Sequence, residues 1–224
     1  MRGRASGGAD DRQRWDDLIP HLLRAGAKAE ESLSRIRRFG EMLLLWNRRV
    51  SNLISRNDEP RLVARHLAES LEPAHWLKES DAKKWLDLGA DGGLPAIPLA
   101  IAGVGSSWTL VESRRTKTLF MRKVIEDIEL KNVSVVLARL EDVADAPPHV
   151  GAYDGFTSRA TLTLGPTLAL AAKVVRSGGT AFLWKGSRRE EEMAKDPFWR
   201  EAWEHEGLLG IGTGQTVVAR FRRK

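Results

Sequence analysis

Cysteine is absent from the 224 residues and tyrosine occurs once. Without a thiol there is no disulfide and no thiolate metal site, and the absence fits a reducing compartment, so the cytoplasm is the expected location. Long apolar runs are missing as well, and none approaches the ~20 residues that a membrane-spanning helix needs. Residues 1–17 are polar and basic, without the apolar stretch of a secretory signal. No histidine–carboxylate spacing suits a metal, so no metal and no membrane are expected. Acidic charge falls short of basic charge: Lys and Arg number 36 against 30 for Asp and Glu, a net charge of +6. The excess is uneven. Arg35, Arg37, Arg38, Arg48, Arg49, Arg56, Arg61 and Arg65 crowd the N-terminal third, and the chain ends Arg220-Phe221-Arg222-Arg223-Lys224. These side chains flank no strongly apolar helix face, which favours a nucleic acid over a membrane surface as partner.

What is present has an order. Residues 1–12, rich in Gly, Ala, Arg and Asp, predict a disordered lead-in. Residues 13–80 predict a helical extension. A short helix at 15–23 ends near Gly26, and a longer one at 27–50 places Leu33, Ile36, Leu43, Leu44 and Val50 near one stripe. Its other face carries Arg35, Arg38, Arg48 and Arg49. Asn57-Asp58-Glu59-Pro60 is a turn and cap signal, and a third helix runs over 60–71.

From residue 81 the pattern alternates. Strands are expected at 85–88, 108–112, 133–138, 153–157 and 180–184. A helix follows the first, and others are expected at 115–128 and 165–175. Leu119, Phe120, Val124 and Ile128 give the 115–128 helix a buried stripe. Charged helical sequence fills 188–206, and glycines at 207, 210, 212 and 214 followed by 216–221 predict an antiparallel pair of strands. Residues 81–224 therefore predict an α/β domain whose mostly parallel sheet, covered on both faces, ends in an antiparallel hairpin. Of the eight tryptophans, Trp15, Trp76, Trp199 and Trp203 sit in amphipathic contexts and predict packing, while Trp46 suits packing or base stacking.

The stretch 84–101 organises this domain. A buried strand leads into the turn Gly89-Ala90-Asp91-Gly92-Gly93, and a helix is entered through proline. Such a turn at the carboxyl end of a strand is where open α/β sheets bind nucleotide-like ligands. A dinucleotide calls for G-x-G-x-x-G. Here the second and third glycine positions hold Asp91 and Leu94, and a carboxylate at 91 faces a pyrophosphate badly. S-adenosylmethionine has no phosphate and carries a cationic sulfonium, which an acidic residue tolerates or favours. Glu112, at the end of the second strand, is placed to accept two ribose hydroxyl hydrogen bonds. Glu141, after the third, is placed to read an adenine amino group, with Leu140 against the ring. Each alone is better explained as a loop carboxylate or helix-start charge; three strand ends in register favour the methyl donor. The closing hairpin is the pattern of S-adenosylmethionine-dependent methyltransferases, and no internal repeat suggests a dehydrogenase.

With these residues in view, the chain resembles the RsmG (GidB) methyltransferases, which make 7-methylguanosine in small-subunit ribosomal RNA. The resemblance runs over about 40–186. It includes Trp46-Asn47 with Asn52-Leu53, Arg65-His66 with Ser70-Leu71, and Leu86-Asp87-Leu88-Gly89 followed by Gly93-Leu94-Pro95 and Ile97-Pro98-Leu99-Ala100. It continues through Glu112-Ser113, Phe120, Leu130-Lys131-Asn132-Val133, Ser158-Arg159-Ala160 and Lys185-Gly186. It implies a Rossmann-like class I methyltransferase fold, with cofactor contacts at Gly89, Leu94, Leu140, Glu141 and Arg159 and the ribose-binding acid of the wider class at Glu112. The chain departs from the family at Asp91 and Ala96, where glycine is usual, and at Thr116, where a basic residue is usual.

The implied reaction needs no general base, because guanine N7 carries an in-plane lone pair and no proton at neutral pH. Alignment and exclusion of water are what the protein supplies. Arg159 is expected to grip phosphate, the guanine O6 edge or the cofactor carboxylate, and Lys185 to hold RNA or simply to snorkel at a strand end. His66 is expected to be a structural hydrogen-bonder. The substrate is then small-subunit ribosomal RNA or the ribosomal particle, and the protein a monomer. Two alternatives stay open: an RNA-binding protein on a methyltransferase scaffold with cofactor binding weakened at Asp91 and Ala96, and a small-molecule methyltransferase.

Overall fold

The computed structural model describes residues 14–159, 162–212 and 216–224. The expected lead-in at 1–12 lies outside the described residues.

Seven strands form one sheet: β1 (Lys84–Leu88), β2 (Ser107–Glu112), β3 (Val133–Leu137), β4 (Tyr153–Arg159), β5 (Val175–Lys185), β6 (Trp203–Ile211) and β7 (Thr216–Arg223), in the order β3-β2-β1-β4-β5-β7-β6. Strands β1 to β5 are parallel, while β7 runs antiparallel to β5 and β6 antiparallel to β7. The order reverses between β1 and β4. Chain leaving β1, β2 and β3 therefore emerges beside chain leaving β4, and the gap between them is where such sheets hold ligands.

Alternation along β1 sends Trp85 and Asp87 to one face and Leu86 and Leu88 to the other. On the first face Trp85 stacks on Trp108 with ring centroids 5.2 Å apart. Each indole N–H donates to a carbonyl, of Ala82 and Val104 respectively, which removes the cost of burying it. The neighbouring strand makes room with Gly155, where a Cβ would lie 2.4 Å from the Trp85 ring. The N-terminal helices cover this face. Leu22, Ile36, Phe39, Leu43 and Leu67 belong to the same buried cluster as Trp85, Phe120 and Phe182, so the extension and the sheet share one core. On the other face Phe156, Leu168, Leu183, Trp203 and Phe221 form a second cluster.

The extension contains the helices Ile19–Arg24 and Ala29–Arg49. The third expected helix is a succession: a 3-10 turn Arg56–Arg61, a π-helical turn Leu62–Leu67 and an α-helical turn Ala68–Leu71. Val50, placed on the buried stripe by spacing, is 56% exposed because the helix ends at Arg49. Leu119 is likewise exposed; the helix Arg115–Asp127 buries Phe120 and Val124 with Met121 instead. The charged stretch 188–206 is not helical to its end. After the helices Arg189–Lys195 and Trp199–Ala202, strand β6 begins at Trp203. Charge at 204–206 reflects an edge strand whose outward carboxylate meets the next strand, with Glu206 paired to Arg220 at 2.5 Å and Arg222 at 2.9 Å. Trp46 packs on Phe120 (5.6 Å between centroids), and Trp76 meets Phe182 edge-on at 5.3 Å.

Candidate active site

At the carboxyl end of β1 the chain turns through Gly89 at φ +63° and Gly93 at φ +83°. A Cβ on Gly93 would sit 2.3 Å from Ile97 Cδ1, so both backbone angle and space require glycine there. Asp91 also has positive φ, +51°, which aspartate tolerates better than most side chains. Glu112 fixes this turn from the next strand. The Asp91 N–H donates to Glu112 Oε2 at 3.0 Å, and the Arg114 N–H donates to Oε1 at 2.8 Å. Each oxygen keeps a further lone pair for a ligand.

Two clefts open here. The larger, of about 660 Å³, brings together Gly89, Asp91, Glu112, Leu140, Glu141 and Arg159. Five of the expected cofactor residues are thus assembled from the ends of β1 to β4. Leu94 lines instead a second cleft of about 370 Å³, with Asn52, His66, Gly92, Asp91 and Arg159. Asp91 and Arg159 belong to both, so the two clefts meet along a shared wall. The 52–55 wall of the smaller cleft is held by Asn47, whose Oδ1 accepts the N–H groups of Leu53 (2.6 Å) and Ile54 (2.9 Å).

Arg159 is largely buried, with its side chain 15% exposed. Nη2 donates to Glu69 Oε2 at 3.0 Å and to the Arg65 carbonyl at 3.4 Å, and Nη1 donates to the His66 carbonyl at 3.4 Å. Among the described residues these bonds use three of its five donors. Burial lowers the Arg159 pKa and raises that of Glu69, each opposed by the charge of its partner. His66 is pushed down to about 4, first by burial and then by Arg159, against the pull of Asp58, so its ring is neutral at physiological pH. Lys185 lines neither cleft; its ammonium donates to the Leu162 carbonyl at 3.0 Å and pairs with Glu192 Oε2 at 2.8 Å.

Two features escaped the sequence. Lys117 lines the larger cleft and pairs with Asp91, whose Oδ1 is buried. Its signal was Asp91 itself, an acid in a turn that needs a cation close by. The arginines of the N-terminal third are mostly committed within the protein: Arg35 to Glu31, Arg37 to Asp16, Arg38 to Asp127, Arg48 to Glu59, and Arg61 and Arg65 to Asp58. Among the described residues no cluster of three potential metal ligands occurs, and no helix is long and apolar enough to cross a membrane.

The family model described as rRNA small subunit methyltransferase G (GidB) matches residues 32–206. The chain belongs to this family. Ribosomal RNA small subunit methyltransferase G of Rhodopseudomonas palustris is 35% identical over 200 residues, covering 87% of this chain and 83% of the relative. The protein of the same name from Novosphingobium aromaticivorans is 33% identical over 177 residues, covering 79% and 73%. Among solved structures, Pyrococcus horikoshii TYW2 in complex with MeSAdo matches with a TM-score of 0.52 at 17% identity, covering 70% of this chain and 62% of that one. The [4+2]-cyclase SpnF also matches with a TM-score of 0.52, at 9% identity and covering 67% and 80%. These two likenesses place the fold alone, since the same scaffold carries different chemistries. Family membership and the assembled cleft make the protein an S-adenosylmethionine-dependent methyltransferase.

Proposed function

We propose that the larger cleft holds S-adenosylmethionine, that the smaller one takes the target base, and that the methyl group passes to N7 of a guanosine in small-subunit ribosomal RNA. The observation that carries this is the wall of Asp91 and Arg159 shared by the two clefts, where donor and acceptor must meet. When bound, the cofactor supplies an electrophilic methyl on a sulfonium. Glu112 takes the ribose hydroxyls, Glu141 the adenine amino group, Leu140 the face of the ring, and Gly89 lets the backbone approach. Arg159 donates to the cofactor carboxylate or the guanine O6 edge. Leu94 packs the base from the smaller cleft.

No side chain is asked to remove a proton, since N7 holds none. The ring gains positive charge on transfer. Asp91 and the neutral His66, which line the smaller cleft, suit that change better than an added cation. The flipped base leaves its stack to enter a cleft walled in part by the extension, through residues 52–55 and His66. The reading takes the protein as a monomer acting in the cytoplasm on ribosomal RNA or its particle, and the net charge of +6 favours the RNA partner.

The competing scaffold idea rested on Asp91 and Ala96. Asp91 adopts the turn's positive φ and meets Lys117, and Ala96 is fully buried where its helix begins, so neither obstructs the larger cleft. The test is transfer of a labelled methyl group to small-subunit RNA. Wild type is expected to transfer, with Arg159→Ala and Gly89→Asp losing activity, and a folded but inert wild type would overturn the assignment. Titration with S-adenosylmethionine separates the scaffold alternative, which predicts no binding.

A further inference from the structure

Residues 162–164, where the helix Leu164–Val174 begins, are anchored from a place remote in sequence. Glu192, in the helix Arg189–Lys195, points Oε2 at two donors: the Lys185 ammonium at 2.8 Å and the Leu164 N–H at 2.9 Å. Lys185, the last residue of β5, also donates to the Leu162 carbonyl at 3.0 Å. Leu164 is the first residue of its helix, and the cap residue Thr163 makes no side-chain capping bond. First-turn amides lack partners within their helix and carry partial positive charge, so a carboxylate from elsewhere substitutes for the missing cap.

The same segment closes on the helix start a second time. A Cβ at Gly165 would lie 2.1 Å from Asp196 Oδ2, leaving no room for a methyl group. The Lys185 and Glu192 side chains are 10% and 22% exposed, so their bonds are shielded from competing water.

This anchoring matters because of where it acts. Leu162 lines the larger cleft, and Arg159, three residues earlier, lines both. On one side of this crossing Arg159 is tied to Glu69 and the carbonyls of Arg65 and His66; on the other, residues 162–164 are tied to Lys185 and Glu192. Arg159 and residues 162–164, each held in this way, keep their places beside the cleft before a ligand arrives, and pre-formed geometry reduces the ordering cost of binding.

We propose that Glu192 is a positioning residue for the cofactor cleft: with Lys185 it holds residues 162–164 as the wall beside Arg159, and Lys185 serves the reaction through this anchor rather than by contact with RNA. Two of the three ammonium donors of Lys185 are spent within the protein, and its side chain faces neither cleft. The inference rests on the assignment of the larger cleft to S-adenosylmethionine.

The test measures binding of S-adenosylhomocysteine and of a small-subunit RNA fragment separately by calorimetry. Glu192→Ala is expected to weaken S-adenosylhomocysteine about tenfold while RNA affinity stays within about twofold. Glu192→Gln, whose amide oxygen still accepts both bonds, stays close to wild type. Lys185→Met follows Glu192→Ala, and the double variant is no worse than either single one, since both remove the same anchor. If Glu192→Ala does not fold, the split between the two ligands in Lys185→Met decides the matter. The proposal is overturned if Glu192→Ala and Lys185→Met bind S-adenosylhomocysteine as wild type does, or if Lys185→Met loses RNA affinity alone. A wild type that fails to bind S-adenosylhomocysteine overturns the cofactor assignment itself, a result distinct from either.

Discussion

Lys117 reaches across the glycine turn to pair with Asp91, joining the start of the helix after β2 to the turn after β1. Lys117 is mostly buried, with its side chain 13% exposed, whereas that of Asp91 is 47% exposed while its Oδ1 is covered. Burial raises the Asp91 carboxyl above its ordinary value, and the ammonium of Lys117 opposes that shift. The pair replaces the empty space of a glycine with two compensating charges. Its balance bears on ligand choice, because S-adenosylmethionine carries a sulfonium and S-adenosylhomocysteine a neutral thioether. With the cofactor in the proposed place, Lys117→Met leaves the sulfonium as the cation that favours the charged form of Asp91. The preference for S-adenosylmethionine over S-adenosylhomocysteine is expected to rise by about 3- to 10-fold. Asp91→Gly frees the ammonium, suits the positive φ, and shifts the preference the other way. Paired calorimetric titrations read both, and identical ratios in all three proteins would sink the idea.

Asp87 predicts a pH dependence of stability. It is 1% exposed near the carboxyl end of β1, accepts a hydrogen bond from Thr157 Oγ1 at 2.6 Å, and has no partner for Oδ2 among the described residues. Burial raises its pKa to about 7, against the lowering effect of Thr157 and with a further push from Glu112. The folded pKa lies above the unfolded one, so the folded state binds the proton more tightly. The stabilisation is complete below about pH 4 and is lost as pH rises through about 7, on the order of 4 kcal/mol across the window. Asp87→Asn mimics the protonated group and is expected to flatten the stability profile between pH 4 and 7. Urea unfolding at several pH values measures this, and a wild type and variant that differ by a constant amount would refute the assignment.

The parts of the site that sequence revealed are those fixed by the sheet itself. Gly89, Glu112, Leu140 and Glu141 lie at or just after the carboxyl ends of consecutive parallel strands, whose register brings those ends together, so recognising the strands was enough to gather the residues. Leu94 and Lys185 needed more. Leu94 lies past the tight turn at Gly93, and the turn carries it into the neighbouring cleft. Lys185 ends a strand near the cleft, yet its direction is set by Glu192 from a later helix, a contact with no local trace in the chain. The stretch 203–206 read as helix because charge density is common to surface helices and edge strands. Only its pairing with β7, Trp203 opposite Arg223 and Glu204 opposite Arg222, separates the two.

Arg159 and Glu69 link β4 to the helical extension, and both side chains are nearly buried, 15% and 13% exposed. Taking one partner from such a pair leaves a charge without compensation. Glu69→Ala is expected to destabilise the fold by about 3 kcal/mol in urea unfolding. Arg159→Lys keeps the charge but cannot span Glu69 and the carbonyls of Arg65 and His66 together, so it loses a comparable amount. A double variant of Glu69→Ala with Arg159→Ala should cost less than the sum of the single changes. Strict additivity would show that the two do not act as a pair.

The internal commitment of most N-terminal arginines narrows the search for phosphate contacts. Arg38 holds Asp127 with Nε at 2.6 Å and Nη2 at 2.9 Å, a two-pronged bond between the long helix and the helix after β2. Arg49 and Arg56 are exposed and no carboxylate oxygen lies within salt-bridge distance of either among the described residues, although Glu59 feels the charge of Arg56. They flank the 52–55 wall of the smaller cleft, on the path we propose for an RNA strand delivering its base. Each phosphate contact that is lost lowers the salt dependence of binding, because fewer counterions are released. Arg49→Gln and Arg56→Gln should each reduce the magnitude of the log–log salt slope for RNA by about 1, uniformly across sequences. Arg38→Gln should leave the slope unchanged, because Arg38 already has its anion. Filter binding across a salt series distinguishes them, and a slope that falls for Arg38→Gln but not for Arg49→Gln or Arg56→Gln would place the RNA path elsewhere.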